Sequence, residues 1–353
     1  MAAQPETLMP PRSEVGLPGW LKRNLFSTWY NALFTLFSLA LIYLVLRAIG
    51  TWAVRDARWE VITTNIKVFM VGRYPGGETW RVWASLGILV LLAVLTWTLR
   101  RMQGNPPWRW LVLGWVLSFP LIGILLRGFS RQSPFLPQVS EDMWSGLLLT
   151  FVLAIVGIVA SFPLGVLLAL GRRSKLPVIK VLCTVYIETI RGVPLISVLF
   201  MSQLMLPLFL PPELRFSTVL RALTGMTLFS AAYTAENVRG GLAAIPIGQY
   251  EAARAVGLNE ALVIGLVVLP QALRVVIPAI VGQFISLFKD TSLVVIVGLL
   301  DLLGIAKAVT GQRAFIGLQR EVYSFSAVIY FAFCYAMSYA SRRLERTLGV
   351  GER

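Results

Sequence analysis

Long apolar stretches alternate with short charged or proline-bearing breaks along this chain, and that rhythm predicts its elements. Runs of roughly 17 to 30 residues span about Trp29 to Ile49, Trp80 to Leu99, Trp110 to Leu126 and Trp144 to Leu170. Four more follow, from about Val178 to Leu208, Leu220 to Val238, Ala272 to Phe288 and Ser324 to Tyr339. Most approach or exceed the ~20 residues that carry a helix across the hydrocarbon core. The expected fold is an all-α polytopic membrane protein with about eight transmembrane helices. An even count puts both termini on one side. The clusters Arg100-Arg101, Arg172-Arg173-Ser174-Lys175 and Arg342-Arg343 then fall together on that side, as the positive-inside rule requires of a cytoplasmic face.

The breaks divide the chain into expected regions. Residues 1–28, polar and proline-containing, read as a mostly disordered cytoplasmic tail rather than a secretory signal. Residues 29–128 form a three-span unit, 129–143 a polar connector, 144–343 a five-span core, and 344–353 a second tail. Between the first two spans, Trp52 to Val71 reads as an amphipathic helix on the outer surface, or as part of a small folded cap. Tight turns are expected at Asn105-Pro106-Pro107 and from Leu206-Pro207 to Pro211-Pro212. Gly157, Ser161 and Gly165, spaced four apart, share a helix face and permit close approach of a second helix. Pro194 removes a backbone hydrogen bond and bends the fifth span. Glu188 and Arg191, three apart, are placed to pair on one face. Lys289 and Asp290 are expected to neutralise each other or a neighbour at a helix break, because charge in mid-membrane is costly. Leu293 to Leu303 then reads as a short, partly inserted helix.

Composition sharpens this picture mainly by exclusion. The chain is 57% hydrophobic and 14% charged, whereas soluble domains are nearer a quarter charged. Its net charge of +15 does not indicate nucleic acid, since the basic residues cluster at span ends. Cys183 and Cys334 lie in or beside apolar runs and form no disulfide framework. With no histidine, imidazole catalysis and histidine metal ligation are ruled out. No GKS or GKT completes a phosphate-binding loop, so any ATP hydrolysis belongs to another chain.

One polar segment, 239–270, interrupts the apolar chain. Within it Glu251-Ala252-Ala253-Arg254-Ala255-Val256-Gly257 leads to Leu269-Pro270. Pro246 suits a first helical turn and Gly257 a left-handed C-terminal residue. The segment therefore predicts an exposed helix of about three turns. Small side chains at Ala252, Ala253, Ala255 and Gly257 let another surface come close. The spacing resembles the EAA loop of ABC importer membrane subunits, which docks on the ATPase. Tyr186-Ile187-Glu188, Arg191-Gly192-Val193-Pro194-Leu195, Ala232-Tyr233-Thr234-Ala235-Glu236 and Arg239-Gly240-Gly241 extend the likeness. Gly248-Gln249-Tyr250-Glu251-Ala252-Ala253, Leu269-Pro270-Gln271-Ala272-Leu273 and Leu287-Phe288-Lys289-Asp290-Thr291-Ser292-Leu293 complete it.

From about Trp144 to Arg343 the chain thus resembles the polar amino acid branch of these subunits. Arg73-Tyr74-Pro75, Trp80-Arg81 and Met205 to Pro211 resemble the M-type subunit of general L-amino-acid permeases. Val198 stands where many relatives carry glutamine. The resemblance implies a type I ABC importer core in the bacterial inner membrane, both termini cytoplasmic. It implies a heterodimer with a second permease subunit, two ATPase subunits that hold ATP and magnesium, and a periplasmic amino-acid-binding protein. The chain itself binds no cofactor. Gly248, Gln249, Tyr250, Glu251, Ala252, Ala253, Arg254 and Gly257 would carry the ATPase contact, with Glu251 either pairing with a basic residue there or favouring its own helix N-terminus.

A crossing amino acid needs polar groups for its ammonium and carboxylate. Ser202, Gln203, Ser230, Thr234, Gln283 and Ser286 are candidates, although each is equally able to bond a neighbouring helix. Glu188, Arg191, Pro194, Lys289 and Asp290 read as structural or gating residues. Rival readings are a secondary transporter, a membrane scaffold for an ATPase, and an intramembrane enzyme. The first wants buried acids and an inverted repeat, the last a nucleophile, base or metal constellation. Neither is evident in the sequence.

Overall fold

The computed structural model describes residues 16–101, 108–130, 133, 135–211, 214 and 216–349. The turn expected at Asn105-Pro106-Pro107, the start of the N-terminal tail, Pro212 and residues 350–353 lie outside them. The described chain is helical, with two isolated bridges, Ser130 to Pro137 and Gly146 to Asp301. It clusters into two compact units, Met1–Trp59 and Glu60–Arg353.

In the first unit, α1 (Gly16–Leu25) occupies part of the expected disordered tail. The long α2 (Trp29–Thr51) is capped by the Thr28 hydroxyl, which accepts from the Asn31 N–H. A π-helical turn over Trp52–Asp56 ends it, closed by the Trp59 indole donating to the Ala53 carbonyl. None of the residues of α2 is buried within the protein. An apolar helix with this much uncovered surface is what a bilayer covers.

The second unit opens with α3 (Glu60–Val71). The single helix expected over Trp52 to Val71 is broken at 57–59. Its second half packs one side against the protein and leaves Thr63, Thr64 and Lys67 exposed: Val61 and Phe69 are fully buried, and Phe69 meets Phe325 edge to face. The inward side, Val61, Ile62, Asn65, Phe69 and Val71, fits the folded-cap alternative. Next come α4 (Trp80–Arg101) and α5 (Trp108–Arg127), which pack on each other, and α6 (Gly146–Arg172). Helix α7 (Pro177–Arg191) and α8 (Leu195–Phe200) meet at 111°. Pro194 sits at that break with extended ψ, so it ends one helix and starts the other instead of merely bending it. A π-turn, Met201–Met205, carries α8 into α9 (Leu206–Phe209), so part of the expected turn is helical.

Helix α10 (Thr218–Ala244) is the hub, packing along α6 and α13 and buried at positions from Val219 to Leu242. After it come α11 (Ile247–Ala255) and α12 (Glu260–Leu262), which runs through a π-turn, Val263–Val268, into α13 (Leu269–Asp290). The expected helix over Leu293 to Leu303 is three things instead. A 3₁₀ turn (Thr291–Val297) ends at left-handed Gly298, and Asp301 caps a new helix, α14 (Leu302–Thr310), packed inside the protein. Last is α15 (Gln319–Leu348), which continues past Arg342-Arg343 through half of the expected tail.

The span count differs from eight. Six helical segments are long and apolar enough to cross a membrane, and the bent α7–α8 pair makes a seventh. The remaining expected span, 220–238, lies in α10. It is 27 residues long but carries Arg221, Glu236 and Arg239. A helix sheathed by protein needs no uniformly apolar surface, which is why its hydropathy falls short while its length does not.

Glycine sets the tight contacts of α10. A Cβ on Gly165 of α6 would lie 2.6 Å from the Thr234 Cβ, and one on Gly241 would lie 2.6 Å from the Ala272 carbonyl oxygen. Gly157, Ser161 and Gly165 are all buried, as their spacing anticipated. At the Gly146 end of α6 the Asp301 carboxylate accepts from the N–H groups of Leu303 and Gly304 and from the Tyr330 hydroxyl, 2.8 Å away. There the Gly146 N–H also donates to the Leu300 carbonyl, and the Thr150 hydroxyl accepts from Leu302.

Candidate functional site: an exposed helix tied to three long ones

Helix α11 is short and held at both ends. Pro246 stands at its N-cap, one position earlier than expected, and the helix has nine residues. At the other end the Leu258 N–H bonds the Ala253 carbonyl and the Gly257 N–H bonds the Arg254 carbonyl. Those two bonds make a Schellman motif, which requires a left-handed residue at the turn. Gly257 supplies it with φ +83°. Its surroundings are open, so the glycine is needed for backbone conformation and not for space.

One side chain of α11, Ala253, is buried in a cluster with Val263, Val268 and Ala272. Gly248, Glu251, Ala252 and Ala255 are exposed. Ile247 and Val256 are 74% and 77% exposed, at either end of the helix. The outer face is thus two large apolar residues framing small ones. Glu251 lies beyond the first turn, so a role in stabilising the helix N-terminus is not supported. Among the described residues it forms no ion pair. Arg254 bonds Glu260 at 2.8 Å, and that hydrogen bond holds the guanidinium above its ordinary pKa.

Three ties connect α11 to long helices. Gln249 accepts from Gln271 of α13 at 3.1 Å. The Tyr250 hydroxyl bonds the Leu242 carbonyl of α10 at 3.3 Å. Arg173, the residue after α6, donates to both that hydroxyl and that carbonyl, at 3.1 and 3.2 Å.

Beside these ties the ends of α6, α7 and α10 share a charge network. The expected Glu188–Arg191 pair does not form. Glu188 bonds Arg172 at 2.8 Å, while Arg191 reaches Glu236 at 3.5 Å. Glu236 also accepts two bonds from Arg239, at 2.9 and 2.5 Å, and one from Arg172 at 3.4 Å. Three guanidinium groups around two carboxylates join three helices, and the side chains remain about a quarter to a half exposed. The sequence carried the Glu236–Arg239 spacing, but nothing local to Arg172 marked its long-range partners. Ile247 and Val256 were likewise missed; their signal was apolar residues inside a polar loop.

The candidate pathway residues separate. Ser230 and Thr234 are fully enclosed, with hydroxyls that find no partner, and Thr234 packs on Gly165. Ser202 bonds the Leu199 carbonyl of the preceding turn and Gln203 the Thr218 carbonyl at the start of α10, so both serve backbone. Gln283 and Ser286, half-buried on α13, form no hydrogen bond among the described residues. Lys289 and Asp290 sit at the end of α13, where the expected break occurs, but form no ion pair among the described residues. The reason is the helix itself: adjacent residues diverge by about 100°.

The chain is similar to known proteins along most of its length. Residues 161–350 match the family model described as "Binding-protein-dependent transport system inner membrane component". The chain is 41% identical over 350 residues to the inner membrane amino-acid ABC transporter permease protein YhdY of Escherichia coli (strain K12), covering 94% of this chain and 93% of that one. It is 37% identical over 414 residues to the glutamate/glutamine/aspartate/asparagine transport system permease protein BztC of Rhodobacter capsulatus, covering 96% and 95%. Among solved structures, "Crystal structure of an amino acid ABC transporter with histidines" aligns with a TM-score of 0.51 and 30% identity, over 57% of this chain and 92% of that one. With half of its length matched by the family model and nearly all of it by these relatives, the chain belongs to the family of inner-membrane permease components of binding-protein-dependent ABC transport systems.

Proposed function

We propose that this chain is one permease subunit of an ATP-driven importer of L-amino acids, with a broad range that includes polar ones. It works as a heterodimer with a second, similar subunit, two ATPase subunits that carry ATP and magnesium, and a periplasmic amino-acid-binding protein. Both termini and α11 face the cytoplasm. The names of the whole-chain relatives support amino acids as the substrate class.

The observation that carries the coupling reading is α11 itself. Its exposed face presents Ile247, Gly248, Glu251, Ala252, Ala255 and Val256, while its buried side is tied to α6, α10 and α13. Apolar ends around small residues fit a groove on another protein. Closure of the ATPase pair moves α11, and α11 moves the spans to which it is tied. This is a two-state element biased by a ligand bound elsewhere. Gln283 and Ser286 are the proposed pathway contacts, since their polar groups are uncommitted and share one face of α13. The expected tail, connector and core boundaries remain the working division of labour, with the part of the N-terminal region that lies in the second unit, α3 to α5, bracing the core. Arg73 N–H on Ser145, and Glu141 between Arg127 and Ser217, support that bracing.

The test uses the assembled transporter. Gly257→Glu forces a charged side chain into a left-handed position at a helix end, costing roughly 1–2 kcal/mol locally. ATP-powered amino acid uptake in proteoliposomes is expected to be lost while the chain remains inserted. Full uptake by this variant, or purification in mild detergent without any ATPase, overturns the reading.

A further inference from the structure

The basic run at the end of α6 has a use beyond marking a membrane side. We propose that Arg173 is a positioning residue that transmits the displacement of α11 to α6, so that α6, α10 and α11 move as one body at this point. The inference rests on the coupling function proposed above and names the residue through which that function enters the spans.

The geometry is specific. Leu242 lies in the last turn of α10, where helix carbonyls have no intrahelical partner. Its carbonyl accepts from Arg173 at 3.2 Å and from the Tyr250 hydroxyl at 3.3 Å, and Arg173 also donates to that hydroxyl at 3.1 Å. The guanidinium carbon lies 5.8 Å from the centre of the Tyr250 ring, within cation–π range. Three elements, none adjacent to all others in sequence, are therefore closed into a triangle by one arginine, one hydroxyl and one orphan carbonyl. The adjacent Arg172 extends it, since its bonds to Glu188 and Glu236 bring in α7 and a second turn of α10.

Arg173 is exposed. Exposed polar contacts contribute little to stability because water replaces them readily. A role confined to holding the fold would therefore show weakly on substitution. A role in transmission would show in how much transport each ATP achieves, because slack at the triangle lets α11 move without α6.

The experiment measures amino acid delivered per ATP hydrolysed, in proteoliposomes of the complete transporter with its binding protein. Arg173→Ala and Tyr250→Phe are each expected to lower that ratio about tenfold, within the usual range of a coupling free energy. The double variant is expected to be no worse than either single one, as for two members of one contact. Arg173→Lys, which keeps a donor, recovers part of the ratio. ATPase co-purification with Arg173→Ala is expected to equal that of the unmodified chain, since Arg173 lies on the far side of α11 from the exposed face. An unchanged ratio, multiplicative effects in the double variant, or loss of co-purification overturns the proposal. If the unmodified transporter itself delivers no amino acid, it is the function proposed above that falls.

Discussion

Helices α2 and α10 are close in length, 23 and 27 residues, yet they are built on opposite rules. The first is predominantly apolar, with Arg47 its one charge, and has no buried residue. The second carries three charges, and much of it is buried. In water the greasier helix would occupy the interior. Where lipid is the solvent, leucine gains nothing by leaving it, so close packing and satisfied polar groups decide which helix is central. The difference teaches where to look for function. A helix that meets the hydropathy of a membrane span with ease is here uncovered, and the one that falls short touches α6, α7, α8 and α13 and holds the charge network.

That contrast is open to attack in order of expected effect. Gly165→Leu places a branched side chain where even a Cβ would lie 2.6 Å from Thr234, so overpacking should cost about 3 kcal/mol or more and lower the yield of folded protein in detergent. A fully folded, equally stable variant would show that α10 is not held by close contact. Glu236→Gln leaves Arg172, Arg191 and Arg239 without their shared carboxylate. The groups are only partly screened from water, so a loss of about 1–2 kcal/mol is expected in a thermal unfolding assay, reduced by added salt. Two substitutions should do little. Leu39→Ala on α2 changes an exposed side chain and should shift stability by less than about 1 kcal/mol. Thr234→Val removes an unpartnered hydroxyl without changing shape, and equal or slightly higher stability is expected. A large loss at Leu39 together with a small one at Gly165 would invert the comparison.

Much of the exposed helix was legible because its signals are local. Gly257 declared its left-handed turn, Pro246 the helix start, and the alanines the narrow face. The glycine face of α6 was legible for the same reason: a spacing of four is a helix property wherever the helix sits. What stayed hidden depends on tertiary neighbours. Glu188 and Arg191 have the spacing of a pair, but Arg172 and Glu236, 64 positions apart, offered shorter or more shielded contacts across helices. Ser230 and Thr234 looked available as polar groups in a span. The structure encloses both, and Thr234 packs against Gly165 of α6. The span at 220–238 was legible from its length and bounds, although its hydropathy falls short because burial by protein relaxes the demand for apolar surface.

Helix α6 runs from the joint at Gly146, Thr150 and Asp301 to the contact at Arg173 without leaving helical geometry, a distance of about 40 Å at 1.5 Å per residue. One rung of its ladder is missing, at Pro163. In the coupling proposed above, such a rod converts a push at one face of the bilayer into a tilt at the other, with the proline as a flexure. The timing of two distant doors can then be set by one stiff part, with no relay of small rearrangements between them.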